Sequence, residues 1–269
     1  MLGSSRDALA KCRDFLDEQR DNSDFGTLAE QLYSVADLLD TETVLRSALA
    51  DSGQLTAVRD NLAKEVFTSR VSPLAVQLIR LAVVQRWSEG MDLVLALEEL
   101  AEQAVLTIAQ IDGSLDATEE ELFMFGRAVD GSAELQMALT DPASSSEVKA
   151  AIVRDLVSAR GTSAAAALLI YSISHLHGRR IDSVVSHLGE MAAKQRDRVV
   201  ADIRVAAPLT PEQSQRLAKA LSQLKGRTVR LNVAVDPSVL GGVHVSIGEE
   251  VIDGTIESRL EQARRALLG

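Results

Sequence analysis

Near residue 199 the spacing of apolar residues changes from three-or-four to two, and that single change of period limits the folds open to this chain. Up to about Arg198 the apolar positions recur as on one face of a helix, as in Leu9, Cys12 and Leu16, or Leu32, Val35 and Leu39. From Val199 on they alternate, as strands do: Val229, Leu231, Val233 and Val235 are interleaved with polar or small residues, and so are Val243, Val245 and Ile247. Aromatics are only 3% of a chain whose hydrophobic total is 46%, so the apolar content is Ala, Leu and Val, which suits close-packed helices. Five prolines, at 73, 142, 208, 211 and 237, leave long stretches in which helices can run. The expected fold class is mainly α, with two related helical bundles followed by a small α/β domain ordered β-α-β-β-α.

The second period is punctuated by local signals. A strand over about 199–207 leads to Thr210 as N-cap, Pro211 at the first helical position and Gln213 completing a capping box. Leu217, Leu221 and Leu224 form the expected buried stripe, and Gly226 the stop. A last helix is expected after Asp253-Gly254-Thr255, with Ile256, Leu260, Ala263 and Leu267 on one face.

The helical part matches itself when shifted by 90 residues without gaps. Leu32 meets Leu122, Asp40 meets Asp130, Leu49 meets Leu139, Asp51 meets Asp141, Arg70 meets Arg160, Ala75 meets Ala165 and Leu78 meets Leu168. Two copies of one bundle are therefore expected, over residues 1–108 and 109–198, with the α/β domain at 199–269. A repeat this long gives each copy a core of its own, unlike a solenoid.

Charge and motifs remove several classes of function. The net charge of −11 argues against nucleic acid as a partner, and the acidity belongs to the helical part, since residues from 200 on carry a net +1. A single cysteine, Cys12, excludes an internal disulfide framework and fits a reducing compartment; on the apolar stripe of the first helix it reads as a small buried hydrophobe. The start lacks an apolar signal core, and the most apolar run, Ala164 to Ile173, is about half the ~20 residues a membrane-spanning helix needs, so no membrane insertion is expected. No phosphate-cradling glycine loop is present. His175, His177, His187 and His244 lack zinc-site spacing, and His175 and His177 project to different sides of a helix. The acids of 116–121 lack the pattern of a calcium loop, and Thr118 and Glu121 read as a capping box. Lys225, Arg227 and Arg230 read as a solvated edge. No catalytic, cofactor or metal site is expected. Phe123, Phe125, Trp87 and Tyr171 at helical positions read mainly as core, with partner contacts the minority reading.

The densest motif is LNVAVDPSVLGGVHVSIGEEVIDGTI, residues 231–256. On residue chemistry alone it is a tight hairpin followed by a helix start. In its arrangement it resembles the signature of the delta subunit of F-type ATP synthases, the oligomycin-sensitivity-conferring protein family. The preceding VAAPLTPEQSQRLAKALSQLKGRTVRL and the segment LTDPASSSEVKAAIVRDLV at 139–157 are similar to that family as well. Most of the family has one helical bundle, so this chain looks like a long bacterial form with the bundle duplicated. The resemblance implies a non-catalytic stator subunit at the cytoplasmic face of the cell membrane. The bundle would hold N-terminal helices of alpha subunits of the catalytic head, and the C-terminal unit the far end of the b subunit in the peripheral stalk. It also implies candidate partner-binding residues: Leu122, Phe123 and Phe125 beside a groove in the second bundle, and Asp236, Gly241, Gly242, Gly248, Asp253 and Gly254 in the motif. The alternative is a helical adaptor or scaffold of another multiprotein assembly. An enzyme would need a pocket with convergent polar groups, such as His175 or His177 beside a carboxylate.

Overall fold

The computed structural model describes residues 3–20, 22, 24–157, 161–196, 199–225, 229–236, 242–247 and 250–253. The chain divides into two compact units, Met1–Ala193 and Lys194–Gly269.

The first unit is helical: α1 (Gly3–Glu18), α2 (Phe25–Thr41), α3 (Thr43–Ala50), α4 (Thr56–Phe67), α5 (Pro73–Val84), α6 (Gly90–Ile111), α7 (Leu115–Asp130), α8 (Ala133–Thr140), α9 (Ser146–Leu156), α10 (Ser163–Ser174) and α11 (Ile181–Arg196). Local chemistry starts several of them. Ser72, Ser132, Ser145 and Thr162 each accept a hydrogen bond from a backbone N–H three residues on, satisfying a donor the first turn leaves orphaned. α7 begins differently from the sequence expectation. Its N-cap residue is Ser114, and Thr118 is buried inside the helix, donating to the Ser114 carbonyl. Glu121 does not close a box on α7; its carboxylate reaches across to accept from the Thr162 N–H and hydroxyl at the start of α10.

Two cores form. Leu9, Cys12 and Leu16 of α1 join Leu28, Leu32, Leu39, Leu78 and Ile79 in the first; Leu122, Phe125, Val129, Leu139, Leu168 and Leu188 build the second. α6, 22 residues long, serves both. Its Leu93, Leu97, Leu100 and Ala104 lie in the first core, its Leu106 and Ala109 in the second. The position 108/109 thus falls within a continuous helix.

The shift of 90 reappears in three dimensions. Added to Thr43–Ala50 and Pro73–Val84, it gives the bounds of α8 and α10. It carries α2 onto α7 and α4 onto α9 to within a residue, and α1 onto a stretch inside α6. Hydrogen bonds repeat with it. The Ser72 N–H donates to Gln31 Oε1 at 2.9 Å, and the Thr162 N–H to Glu121 Oε2 at 2.9 Å. Arg46 donates to the Leu39 carbonyl at 3.0 Å, and Gln136 to the Val129 carbonyl at 2.9 Å. The Gly53 and Ala143 N–H groups each donate to an aspartate two residues back, Asp51 and Asp141, at 2.8 Å.

The second unit contains β1 (Val199–Val205), α12 (Pro211–Lys225), β2 (Val229–Val235), β3 (Val243–Ile247) and β4 (Glu250–Asp253). The four strands form one mixed sheet in the order β2-β1-β3-β4. β1 and β2 are parallel, joined through α12 as a parallel pair must be by a crossover; β3 runs antiparallel to both β1 and β4. Register places Ile203 opposite Val233 and Val245, so alternate residues of three strands line one buried face. The capping box of α12 is present: the Thr210 N–H donates to Gln213 Oε1 at 2.8 Å and the Gln213 N–H to the Thr210 hydroxyl at 3.2 Å. Two details depart from expectation. Leu221 is buried but Leu224 is 66% exposed, so the apolar stripe stops short of the helix end. Val251 and Ile252 form a fourth strand against β3 instead of leading directly into a helix, because an alternating run this short pairs once a neighbouring edge is free. The expected stop at Gly226 and the expected last helix lie outside the described residues.

Candidate functional site: an apolar groove with a polar end

Between α2, the last turns of α6, and α10 lies an open groove of about 580 Å³. It exists because small residues face one another there: Gly26 and Ala29 of α2, Ala109 of α6, and Ala164 and Ala167 of α10. Val105, Ile108 and Ile170 make its walls apolar, while Glu30, Asp37 and Asp112 give its rim negative charge.

One end is closed by rings. Tyr33 of α2 stacks on Tyr171 of α10 with centroids 3.7 Å apart, and Tyr171 stacks on His175 at 4.2 Å. The Tyr171 hydroxyl donates to Asp37 Oδ1 at 2.6 Å. His175 is engaged at both ring nitrogens, Nδ1 3.0 Å from the Tyr171 carbonyl and Nε2 3.2 Å from Asp37. A histidine beside a carboxylate at a pocket wall is the arrangement an enzyme would use. Here, though, both nitrogens face acceptors of the protein itself, and burial together with the Asp37 bond pushes the Tyr171 phenol far above its ordinary range.

Behind the rings sits a buried acidic pair. Glu98 and Glu102, one turn apart on α6, are 4% and 5% exposed. His177 Nε2 lies 2.7 Å from Glu98 Oε1, and this bond raises the His177 pKa above its ordinary value against the opposing cost of burial. Ser172 donates to Glu102 at 3.1 Å. Desolvation, reinforced by Glu99, drives the Glu102 carboxyl up to about 8, so it is protonated at neutral pH. Helical projection separates His175 from His177, but α10 ends at Ser174, and His177 (φ 49°) followed by Gly178 (φ 74°) turns the chain left-handed, bringing both rings toward α6 and α2. A periodicity argument assumes that the helix continues; here it stops first.

The residues singled out in the sequence fall in different places. Leu122 and Phe125 are core, 1% and 3% exposed, whereas Phe123 points outward at 64%. Asp236 follows β2, its N–H donating to the Val205 carbonyl at 2.9 Å. Gly242 has φ +88°, a backbone conformation that favours glycine, and Asp253 ends β4. Gly241, Gly248 and Gly254 lie outside the described residues. Cys12 is fully buried and its thiol is pushed up to about 12 by desolvation, as an inert core residue would be. The groove expected beside Leu122, Phe123 and Phe125 is not this one, which none of the three lines; nothing in the sequence marks its position, because its floor is made of alanines, which carry no signal of their own.

Among the described residues no helix is long and apolar enough to cross a membrane, and no cluster of three or more metal-ligating side chains occurs. A helical unit bearing an open apolar groove, joined in one chain to a small mixed sheet, defines a mainly α protein with a short α/β part at its C-terminal side. The chain belongs to the ATP synthase delta (OSCP) subunit family, whose profile matches residues 100–267. It is 40% identical to ATP synthase subunit delta of Streptomyces griseus subsp. griseus, over 100% of both chains. It is 42% identical to the subunit of the same description in Streptomyces coelicolor, over 99% of this chain and 98% of that one, and 40% identical to that of Frankia casuarinae over 100% of both. A chain of the cryo-EM structure of the Toxoplasma gondii mitochondrial ATP synthase hexamer is 21% identical, covering 62% of this chain and 95% of that one, with a TM-score of 0.28, too low to equate the folds.

Proposed function

We propose that this chain is the stator component that joins the catalytic head of an F-type ATP synthase to its peripheral stalk at the cytoplasmic face of the cell membrane. A rotor turning inside the head exerts an opposite torque on it, and a clamp between head and stalk keeps the head from following. The two helical copies and the α/β unit divide that work: the helical part takes N-terminal helices of alpha subunits, the C-terminal part the end of the b subunit. No step of the work needs a reacting group. The observation that carries the reading, beside family membership, is the groove of about 580 Å³ floored by alanine and glycine. Small floor residues let a partner helix approach closely, and apolar walls take its anchors at successive turns. The acidic rim of Glu30, Asp37 and Asp112 suits a partner helix that carries basic residues.

On the C-terminal side, the exposed Leu224 and Val235 and the motif residues Asp236, Gly241, Gly242, Gly248, Asp253 and Gly254 are the proposed contacts of the stalk. The test is calorimetric titration of the isolated catalytic head with the full chain and with Ala167→Trp, which fills the groove from its floor. The substitution is expected to weaken binding by about tenfold or more. Unchanged affinity in a folded variant would move the head contact away from the groove.

A further inference from the structure

We infer that the outward face of α7, centred on Phe123 and Arg127, is a docking surface for an amphipathic helix of a different protein, one that carries an aromatic residue and, one turn later, an acidic one. The inference goes beyond the groove reading and does not rest on it. It follows from how the two halves of the helical unit repeat.

At the shift of 90, α7 stands where α2 stands, and the repeated hydrogen bonds make this equivalence hold position by position. On α2 the equivalent position, at the closed end of the groove, is covered. Tyr33 lies under Tyr171 of α10 and is 9% exposed, and Asp37, one turn on, receives the Tyr171 hydroxyl and faces His175. Phe123 occupies the position of Tyr33, and Arg127 that of Asp37. Phe123 is 64% exposed and the adjacent Met124 59%. The contact between the halves is head-to-tail: a face of the second half covers the first, and the corresponding face of the second is left open.

The opposite end of this two-member stack is finished differently. The positions on α5 that correspond to Ala167, Ile170, Tyr171 and His175 of α10 are Gln77, Arg80, Leu81 and Gln85; Leu81 packs against the first core, and Arg80 is already paired bidentately with Asp60 at 2.7 and 2.6 Å. That polar finish is what terminal units of a stack use to stay unassociated. It also argues against a second copy of this chain as the occupant of the α7 face, since the surface a second copy would offer there carries Gln77, Arg80 and Gln85 where α10 carries Ala167, Ile170 and His175, and Leu81 in place of the Tyr171 ring that does the stacking. The occupant is therefore a foreign helix. Arg127 in place of Asp37 reverses the charge requirement, so the group facing it is acidic instead of histidine. Asp116 and Glu120, earlier on the same face, call for basic residues toward the start of the docked helix.

The test uses the full chain and a synthetic helix of about fifteen residues with Tyr at its centre, Lys four and seven residues before it and Glu four residues after it. Calorimetry is expected to show binding that Phe123→Ala and Arg127→Glu each weaken by about tenfold. A peptide with Lys in place of that Glu is expected to restore binding to Arg127→Glu, which a merely structural role for Arg127 would not do. The melting temperature of Phe123→Ala should match that of the wild type; a clear drop would mean that the face belongs to the fold and overturn the inference. Failure of the peptide to bind, or binding indifferent to both substitutions, overturns it as well. So does self-association by light scattering that Phe123→Ala abolishes, which would make the occupant a second copy.

Discussion

Glu102 holds a proton at neutral pH because α6 carries it into the core, with the Glu99 carboxylate and then the buried Glu98 adding to the cost of a charge there. The folded pKa of about 8 lies above the ordinary 4.5, so the folded chain keeps a proton that the unfolded chain releases. Its favourable contribution is complete below the unfolded value and is lost as pH rises through that window. His177, also raised, acts in the same direction above its ordinary value. The melting temperature is therefore expected to fall between about pH 5 and pH 8.5, and Glu102→Gln to flatten the fall; an equally steep fall in the variant would remove Glu102 from the account. Two adjacent residues of α7 make a second pair of expectations. Leu122→Ala should cost about 2–5 kcal/mol in denaturant unfolding, because it opens a cavity in the second core, whereas Phe123→Ala should stay within about 0.5 kcal/mol. The sequence put both beside a partner, since it shows that aromatics and leucines recur but not which side of the helix the neighbouring elements cover.

At the scale of elements, the start of α10 is tied down more firmly than that of α5. Ser72 caps α5 and its N–H bonds to Gln31; Thr162 caps α10, and both its N–H and its hydroxyl reach the Glu121 carboxylate, while Thr118 donates to the same hydroxyl. Thr162→Ala is expected to cost more than Ser72→Ala, roughly 2 against roughly 1 kcal/mol, read from denaturant midpoints. Equal losses would mean that the charged partner adds nothing over the neutral one. Most elements were legible in the sequence wherever a cap, a proline and a period agreed, as at Thr210-Pro211, where the expected capping box is the one found. The Thr118–Glu121 pair shows the limit. Its spacing satisfies the local rule, but Glu121 is spent on a neighbouring helix 41 residues away, a pairing no local pattern encodes. β4 was missed for a related reason, since a four-residue strand is stabilised by the β3 edge it joins more than by its own alternation.

Across the whole molecule, the two units have separate cores, and residues 1–193 alone are expected to fold with the circular dichroism of a helical protein. Residues 113–193 alone are expected not to fold cooperatively, because Leu106 and Ala109 of their core stay behind on α6. A sharp thermal transition in that fragment would contradict the shared-helix description. The duplication was readable as a register of identities, but the sharing was not, since α6 matches α1 in one direction and α11 in the other and a linear comparison must assign it to one side. The 22 residues of α6 span roughly 33 Å without a break. Between the halves there is consequently no linker to stretch and no hinge to bend. A displacement of one core is handed to the other along a single hydrogen-bonded rod, so the pair moves as a lever with one arm rather than as two beads on a string.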